Sequence, residues 1–453
     1  MTSHLGVPCE KTVRIGAGSG FATDRIDPAV ALVEGAGLDY LVFECLAERT
    51  IASGSARRLN NPEEGFDRLL TRRIRAVLPG ARANGTRIVT NAGAANPRAA
   101  AQAVARVVTD LGYPDTRVFA VLGDDVLDKV RELDPHIWET NRKLSDHKEE
   151  LVSANAYIGA ESIVEALARG ADIVIGGRIA DPSLFLAPLI HEYGWAMSDL
   201  QHLGRGTMVG HLLECAGQLT GGYYADPITK KVDDLAHLGF PFADVERDGT
   251  AQFSKLPATG GLLTVRTCAE QLLYEVDNPH AYLTPDVVAD FGAVTFTPTG
   301  DNTVRARGAS GHARPETLKA TLGFRDGWIG EGEISYAGPR AHERANLAAE
   351  IVATRLNEVH GLNGECVIEM IGAGDFRSMA PNQLCDRDIR LRVAMVTPTR
   401  EAAETVGWEI ESLYTNGPAG GGGARTTVTE RLTIRSCVIP RSAINTRVEE
   451  IYA

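Results

Sequence analysis

The residues best suited to chemistry in this chain sit at the C-terminal ends of five short apolar runs. Glu44 closes Tyr40–Phe43, Asn91 closes Arg87–Thr90, and Asp124-Asp125 follow Val118–Leu122 and Gly123. Arg178 follows Ile173–Ile175 and two glycines, with Asp181-Pro182 close behind, and Val13–Ile15 leads into Gly16-Ala17-Gly18-Ser19-Gly20. A carboxylate placed at such an end serves as a general base. A planar guanidinium there holds a substrate carboxylate in a fork that lysine cannot reproduce. Glu44 ends an apolar run, so its charge needs a partner. We therefore read Glu44 and Asp124 as candidate catalytic groups, and Gly18, Ser19, Asn91, Arg178 and Asp181 as candidate substrate-binding residues. In this reading Asn91 and the Gly16–Gly20 amides polarise a carbonyl. Asp181 has a second reading, because Asp followed by Pro opens helices well.

These residues converge only if the runs are parallel strands, which deliver their C-termini to one rim. The spacing predicts that arrangement. Strand and helix periods alternate over the first ~180 residues, the pattern of a parallel α/β sheet. Asp27-Pro28, Asn61-Pro62 and Asn96-Pro97 read as helix openers. The second is followed by a stripe of Phe66, Leu69, Leu70, Ile74 and Val77 that Pro79-Gly80 should stop, and Glu161–Ala168 forms a further helix. From Leu184 to about Leu273 the pattern is helical and irregular. Beyond it, hairpin-like strands surround two helices, Ala341–Val359 and Arg400–Leu413. The expected fold is α/β: a mainly parallel N-terminal sheet with flanking helices over 1–285, and a smaller α+β domain over 286–453.

Other motifs carry less. Gly16–Gly20 lacks the sixth-position glycine of a dinucleotide fingerprint, where Phe21 stands, and the helix signal waits until Asp27. Gly420–Gly423 before Arg425 suits either a linker or an anion-holding loop. His211 and Glu214 could meet on one helix face but show no further metal ligands. The seven cysteines are scattered without a CxxC pair, so Cys45 and Cys215 read as inert, and neither metal nor disulfide is expected. The formal charge of −13 argues against nucleic-acid binding. No apolar run reaches membrane-spanning length and no signal-peptide core opens the chain, so a cytoplasmic protein away from membranes is expected.

Several of these segments resemble the acyclic terpene utilisation family. They are Gly16-Ala17-Gly18-Ser19-Gly20-Phe21 with Asp24, Leu41–Glu48, Thr90-Asn91-Ala92-Gly93 and Gly176–Asp181. Glu214–Gln218 with Gly221-Gly222-Tyr223, Tyr336–Pro339 and Val438–Arg441 extend the likeness over nearly the whole chain. The resemblance implies a bacterial-type catabolic protein from a pathway whose branched acids travel as acyl-CoA thioesters. It carries no catalytic residues over.

The expected function is a catabolic enzyme acting on a small branched carboxylic acid or its acyl-CoA thioester. Hydratase or related lyase chemistry needs a base beside an acidic C–H, a carboxylate fork and no redox cofactor. No cofactor is expected, and a homo-oligomer is. The alternative is a non-catalytic subunit or binding module of a multi-component acyl-processing enzyme, working with a small partner subunit. A dinucleotide-dependent oxidoreductase ranks third.

Overall fold

The computed structural model describes residues 11–372 and 388–452; Cys9 and Cys385 lie outside them. The described chain divides into two compact units, one of residues 11–147, 152–322 and 434–452, the other of 148–151, 323–372 and 388–433.

The first unit is built on a ten-stranded sheet. Its centre is parallel, in the order Val13–Gly20, Tyr40–Glu44, Arg87–Thr90, Ile173–Ile175, Val118–Leu122. All five expected runs are therefore neighbours in one sheet. Tyr40–Glu44 and Val118–Leu122 are buried at every position, as parallel strands covered on both faces must be. Beside Val13–Gly20 the sheet continues antiparallel through Pro241–Val245, Ala251–Lys255, Thr303–Arg307 and Thr295–Gly300. Arg447–Ile451 pairs antiparallel with Val118–Leu122 at the other side. These antiparallel additions cover both edges of the parallel core, which would otherwise present unpaired backbone. They also place 286–322 and the C-terminal strand in the first unit, so the division does not fall at 285. Pro241–Val245 and Ala251–Lys255 lie inside the stretch expected to be helical.

Local details differ from expectation for identifiable reasons. Gly16–Gly20 is strand rather than loop, with a register shift between Ala17 and Ser19. Asn61 does not open a helix; it ends one, Glu48–Asn60, whose weak apolar stripe hid it. The following helix begins at Leu70, passes through Pro79 and stops at Gly85, whose φ of 71° is left-handed. Asn96 does cap Pro97–Asp110, accepting from the Ala99 amide. Among the described residues no helix is long and apolar enough to cross a membrane.

The second unit is a smaller sheet in the order Cys366–Ile371, Ile389–Thr397, then the parts of the long strands Thr317–Tyr336 and Gly421–Pro440 that fall within it. Ile389–Thr397 alternates buried and half-buried positions. Its inward residues Ile389, Leu391, Val393 and Met395 share a core with Ala345, Ala348 and Val352 of the helix Ala341–Thr354 and with Val406, Ile410 and Leu413 of Arg400–Asn416. The glycine run begins the last strand, with Gly420 and Gly423 at φ 80° and 65°.

Candidate active site

The glycines at the end of Val13–Gly20 admit neighbours rather than a ligand. A Cβ on Gly18 would lie 2.6 Å from the Phe43 ring, and one on Gly20 would lie 2.3 Å from the Cys215 backbone. The Gly20 amide donates to Asp24 Oδ2 at 3.0 Å, and Ser19 Oγ donates to the Glu44 carbonyl at 2.6 Å. Gly18 and Ser19 do not line the cavity described next. They pack against Tyr40–Glu44 rather than reach the cavity, with Ser19 paired in register with Phe43.

Immediately beyond, the first unit holds a cavity of about 690 Å³ at the C-terminal ends of the parallel strands. Gly20, Glu44 and Arg178 reach it from three of those ends, joined by Asp181 and by Glu214 after the helix Leu200–Leu213. Tyr157, Tyr274, Tyr282 and Lys319 add polar groups, while Trp138, Leu283, Leu318 and Val438 supply apolar wall.

Glu44 is buried on this wall. Its Oε1 accepts from the Leu46 amide at 2.6 Å and from Asn91 Nδ2 at 3.0 Å. Burial, reinforced by nearby Asp181, pushes its carboxyl up to about 8, against those two hydrogen bonds. Asn91 is fixed in turn by the Cys45 amide, which donates to Oδ1 at 2.7 Å. Asn91 is absent from the cavity wall and bonds Glu44 instead.

Asp124 stands behind the rim. Its Oδ2 accepts from the Arg178 backbone amide at 2.8 Å and from Asn155 Nδ2 at 3.0 Å. Gly177 passes so near that a Cβ there would lie 2.4 Å from the same oxygen. Burial raises its carboxyl to about 6, but it does not line the cavity. Where a base was expected, the Asp124 carboxyl braces the turn that presents Arg178.

Arg178 is 1% exposed and lines the cavity. Nη1 donates to the Leu46 carbonyl at 2.5 Å, and Nη2 donates to the Ile179 carbonyl at 3.0 Å and to Asp181 Oδ1. Its guanidinium also lies 4.4 Å from the Tyr157 ring centroid. Both terminal nitrogens of the fork expected for a substrate thus bond protein acceptors, while Nε is buried without a partner. Asp181, the first residue of the helix Asp181–Tyr193, makes no side-chain cap and turns to Arg178 instead.

Residues 13–450 match the family described as acyclic terpene utilisation family protein AtuA. The chain belongs to the acyclic terpene utilisation family. That family is linked to the use of acyclic terpenes, a catabolic role. No curated protein matches the chain.

In this family member two further clusters face the same cavity, and the residue patterns did not mark them as part of it. Tyr157 donates to Glu48 Oε1 at 2.5 Å, and Lys319 Nζ reaches the same oxygen at 3.0 Å. Lys319 also lies 5.0 Å from the Tyr157 ring centroid, so two cations flank that ring. Burial raises the Glu48 carboxyl, yet the Tyr157 and Lys319 bonds outweigh it and bring it down to about 2. The second cluster is His211 with Glu214: Nδ1 meets Oε1 at 2.8 Å, and Nε2 meets the Leu272 carbonyl at 3.1 Å. The His211 ring lies against Phe291 and Tyr282, with centroids 5.6 and 4.9 Å away. Only the three-residue spacing hinted at this pair. Nothing local hinted at Tyr157 or Lys319, which lie 162 residues apart in sequence (319 − 157). Among the described residues no cluster of three or more His, Cys, Asp or Glu is arranged to hold a metal.

Proposed function

We propose that the protein is a catabolic enzyme that hydrates or dehydrates a small branched acyl group, presented as the carboxylic acid or its acyl-CoA thioester. The observation that carries this reading is Glu44. One of its oxygens is held by Leu46 and Asn91, and the carboxyl sits on the wall of a cavity with apolar surface for a branched chain. A proton α to a thioester carbonyl is acidic enough for such a carboxylate to remove, and the same group in its acid form returns it. A carboxyl raised to about 8 exists in both forms near neutral pH, which favours reversible proton transfer. Arg178 contributes by countering the charge of Asp181 beside the reacting centre, since both of its terminal nitrogens bond protein acceptors.

The test is turnover of branched 2-enoyl and 3-hydroxyacyl thioesters by the purified protein in D₂O, with deuterium at the α-carbon followed by NMR. Wild type should exchange and interconvert them, and Glu44→Gln should lose both while staying folded. A purified chain that is inert until a partner protein is added, with activity then indifferent to Glu44→Gln, would make this a non-catalytic subunit.

A further inference from the structure

Hydration moves two protons, and Glu44 accounts for one of them. Water must lose a proton as its oxygen bonds the β-carbon, and a second group has to receive it. The Glu214–His211 pair has the geometry for that task. His211 Nε2 faces the Leu272 carbonyl, which only accepts, so Nε2 must carry its proton. Two bare lone pairs would repel at the 2.8 Å separating Nδ1 from Glu214 Oε1, so one proton is shared between them. The ring cannot turn away from this contact, because Phe291 and Tyr282 pack against it and its other nitrogen is pinned.

That leaves Glu214 Oε2. It is buried and has no hydrogen-bond partner, although Glu214 is on the cavity wall. A buried, unpaired carboxyl oxygen costs stability, and a ligand hydroxyl or water that reached it would satisfy it. Glu214 and Glu44 line the same cavity. Gly20 pairs in register with Glu44, and the backbone of Cys215, the residue after Glu214, packs directly on Gly20.

We infer that Glu214 is the second acid–base group of the site, taking the proton of the attacking water on Oε2 while Oε1 passes its own proton to Nδ1 of His211. The inference rests on the hydratase reading above and deepens it. The step balances. The water O–H bond breaks toward Oε2 as the oxygen bonds the β-carbon, and the C=C electron pair takes the Glu44 proton at the α-carbon. One water is added, Glu44 is left as carboxylate, and the dyad holds one extra proton, with His211 as imidazolium. Dehydration runs the same transfers in reverse. His211 touches no substrate in this scheme and is a positioning residue that also accepts the relayed proton.

The experiment separates the two proton transfers. A saturated 3-methylbutanoyl thioester of N-acetylcysteamine reports α-proton exchange in D₂O, which needs Glu44 alone. The 3-methylbut-2-enoyl thioester in ¹⁸O-labelled water reports oxygen addition, which needs both groups. Glu214→Gln keeps size and can still donate to His211 Nδ1, but it cannot take the water proton. It should lower the ratio of hydration to exchange on the order of 100-fold. His211→Phe, which preserves the ring stack, should lower that ratio in the same direction through kcat with KM little changed. A ratio that stays at the wild-type value in Glu214→Gln, whether both activities fall together or neither does, overturns the inference. Absence of Glu44-dependent exchange in the wild type defeats the underlying reading instead, and the inference falls with it.

Discussion

Glu44 in the first unit and Glu409 in the second are both almost fully buried glutamates, with opposite behaviour. Glu409 is gripped by Arg355 Nε and His360 Nε2, each at 2.7 Å. Burial alone would raise its carboxyl, but the bonds from Arg355 and His360 outweigh it and hold the group below the usual carboxylate range. Glu44 has only an amide and an asparagine on one oxygen, and burial drives it up to about 8. The pattern extends beyond the pair. In the second unit Arg392 bonds Glu331 and Glu369 at 2.6 and 2.5 Å, and Arg390 bonds Glu333 at 3.0 Å. Carboxylates there meet cations across neighbouring strands. Around the cavity, Glu214 has one oxygen without a partner. A buried carboxyl given a full cation is structural, whereas one given only dipoles remains able to exchange a proton.

The largest effect should come from removing the incompletely paired group. Glu44→Gln is expected to lower α-proton exchange by about 10²–10⁴-fold, with the unfolding midpoint close to wild type because the Leu46 and Asn91 contacts can be kept. A comparable loss of fold would make Glu44 structural, like Glu409.

Replacement of Arg178 comes next. Arg178→Lys removes bonds to two carbonyls, the Nη2 bond to Asp181 and the contact over Tyr157. It should destabilise the protein by on the order of 1–3 kcal/mol in urea titration, a loss visible without substrate. A variant that weakens acid binding yet unfolds normally would restore the open-fork role.

Asp124→Asn should cost about 1 kcal/mol and leave kcat within about threefold of wild type. A much larger loss of kcat in a folded variant would return Asp124 to the chemistry.

The two glutamates should also give opposite pH slopes. Glu44 is raised, so its folded form binds the proton more tightly than the unfolded chain. Its contribution to stability is full below about 4.5, the ordinary carboxyl value, and is lost as pH rises toward about 8. Glu409 is lowered, so its contribution is present above the ordinary value and lost as pH falls through its folded pKa. Thermal unfolding across pH 3–9 should show Glu44→Gln flattening the alkaline limb and Glu409→Gln the acidic one. If both variants flatten the same limb, the comparison breaks.

The smallest effect belongs to the half-exposed pairs. Arg392→Ala should change stability by no more than about 1 kcal/mol, measured by the same titration.

Local patterns in the chain were enough to place the parallel strands and to bring their C-terminal ends to one rim. Apolar runs alternating with helical stripes, punctuated by Asn96-Pro97 and by glycines, record local backbone preferences that each segment carries unaided. The same reading placed Glu44 and Arg178 at the cavity, because both are attached directly to strand ends. Which partners each polar group meets there depended on packing between distant segments. Asp124 and Asn91 also sit at strand ends, yet one braces the Arg178 amide and the other orients Glu44. Arg178 lost its open fork to Leu46, 132 residues away in sequence, and Tyr157 found Lys319 only through the fold. Proximity along a strand is written in the chain, but hydrogen-bond partners and local dielectric are properties of the packed site. They fix whether a buried carboxyl is an ion, a brace or an acid.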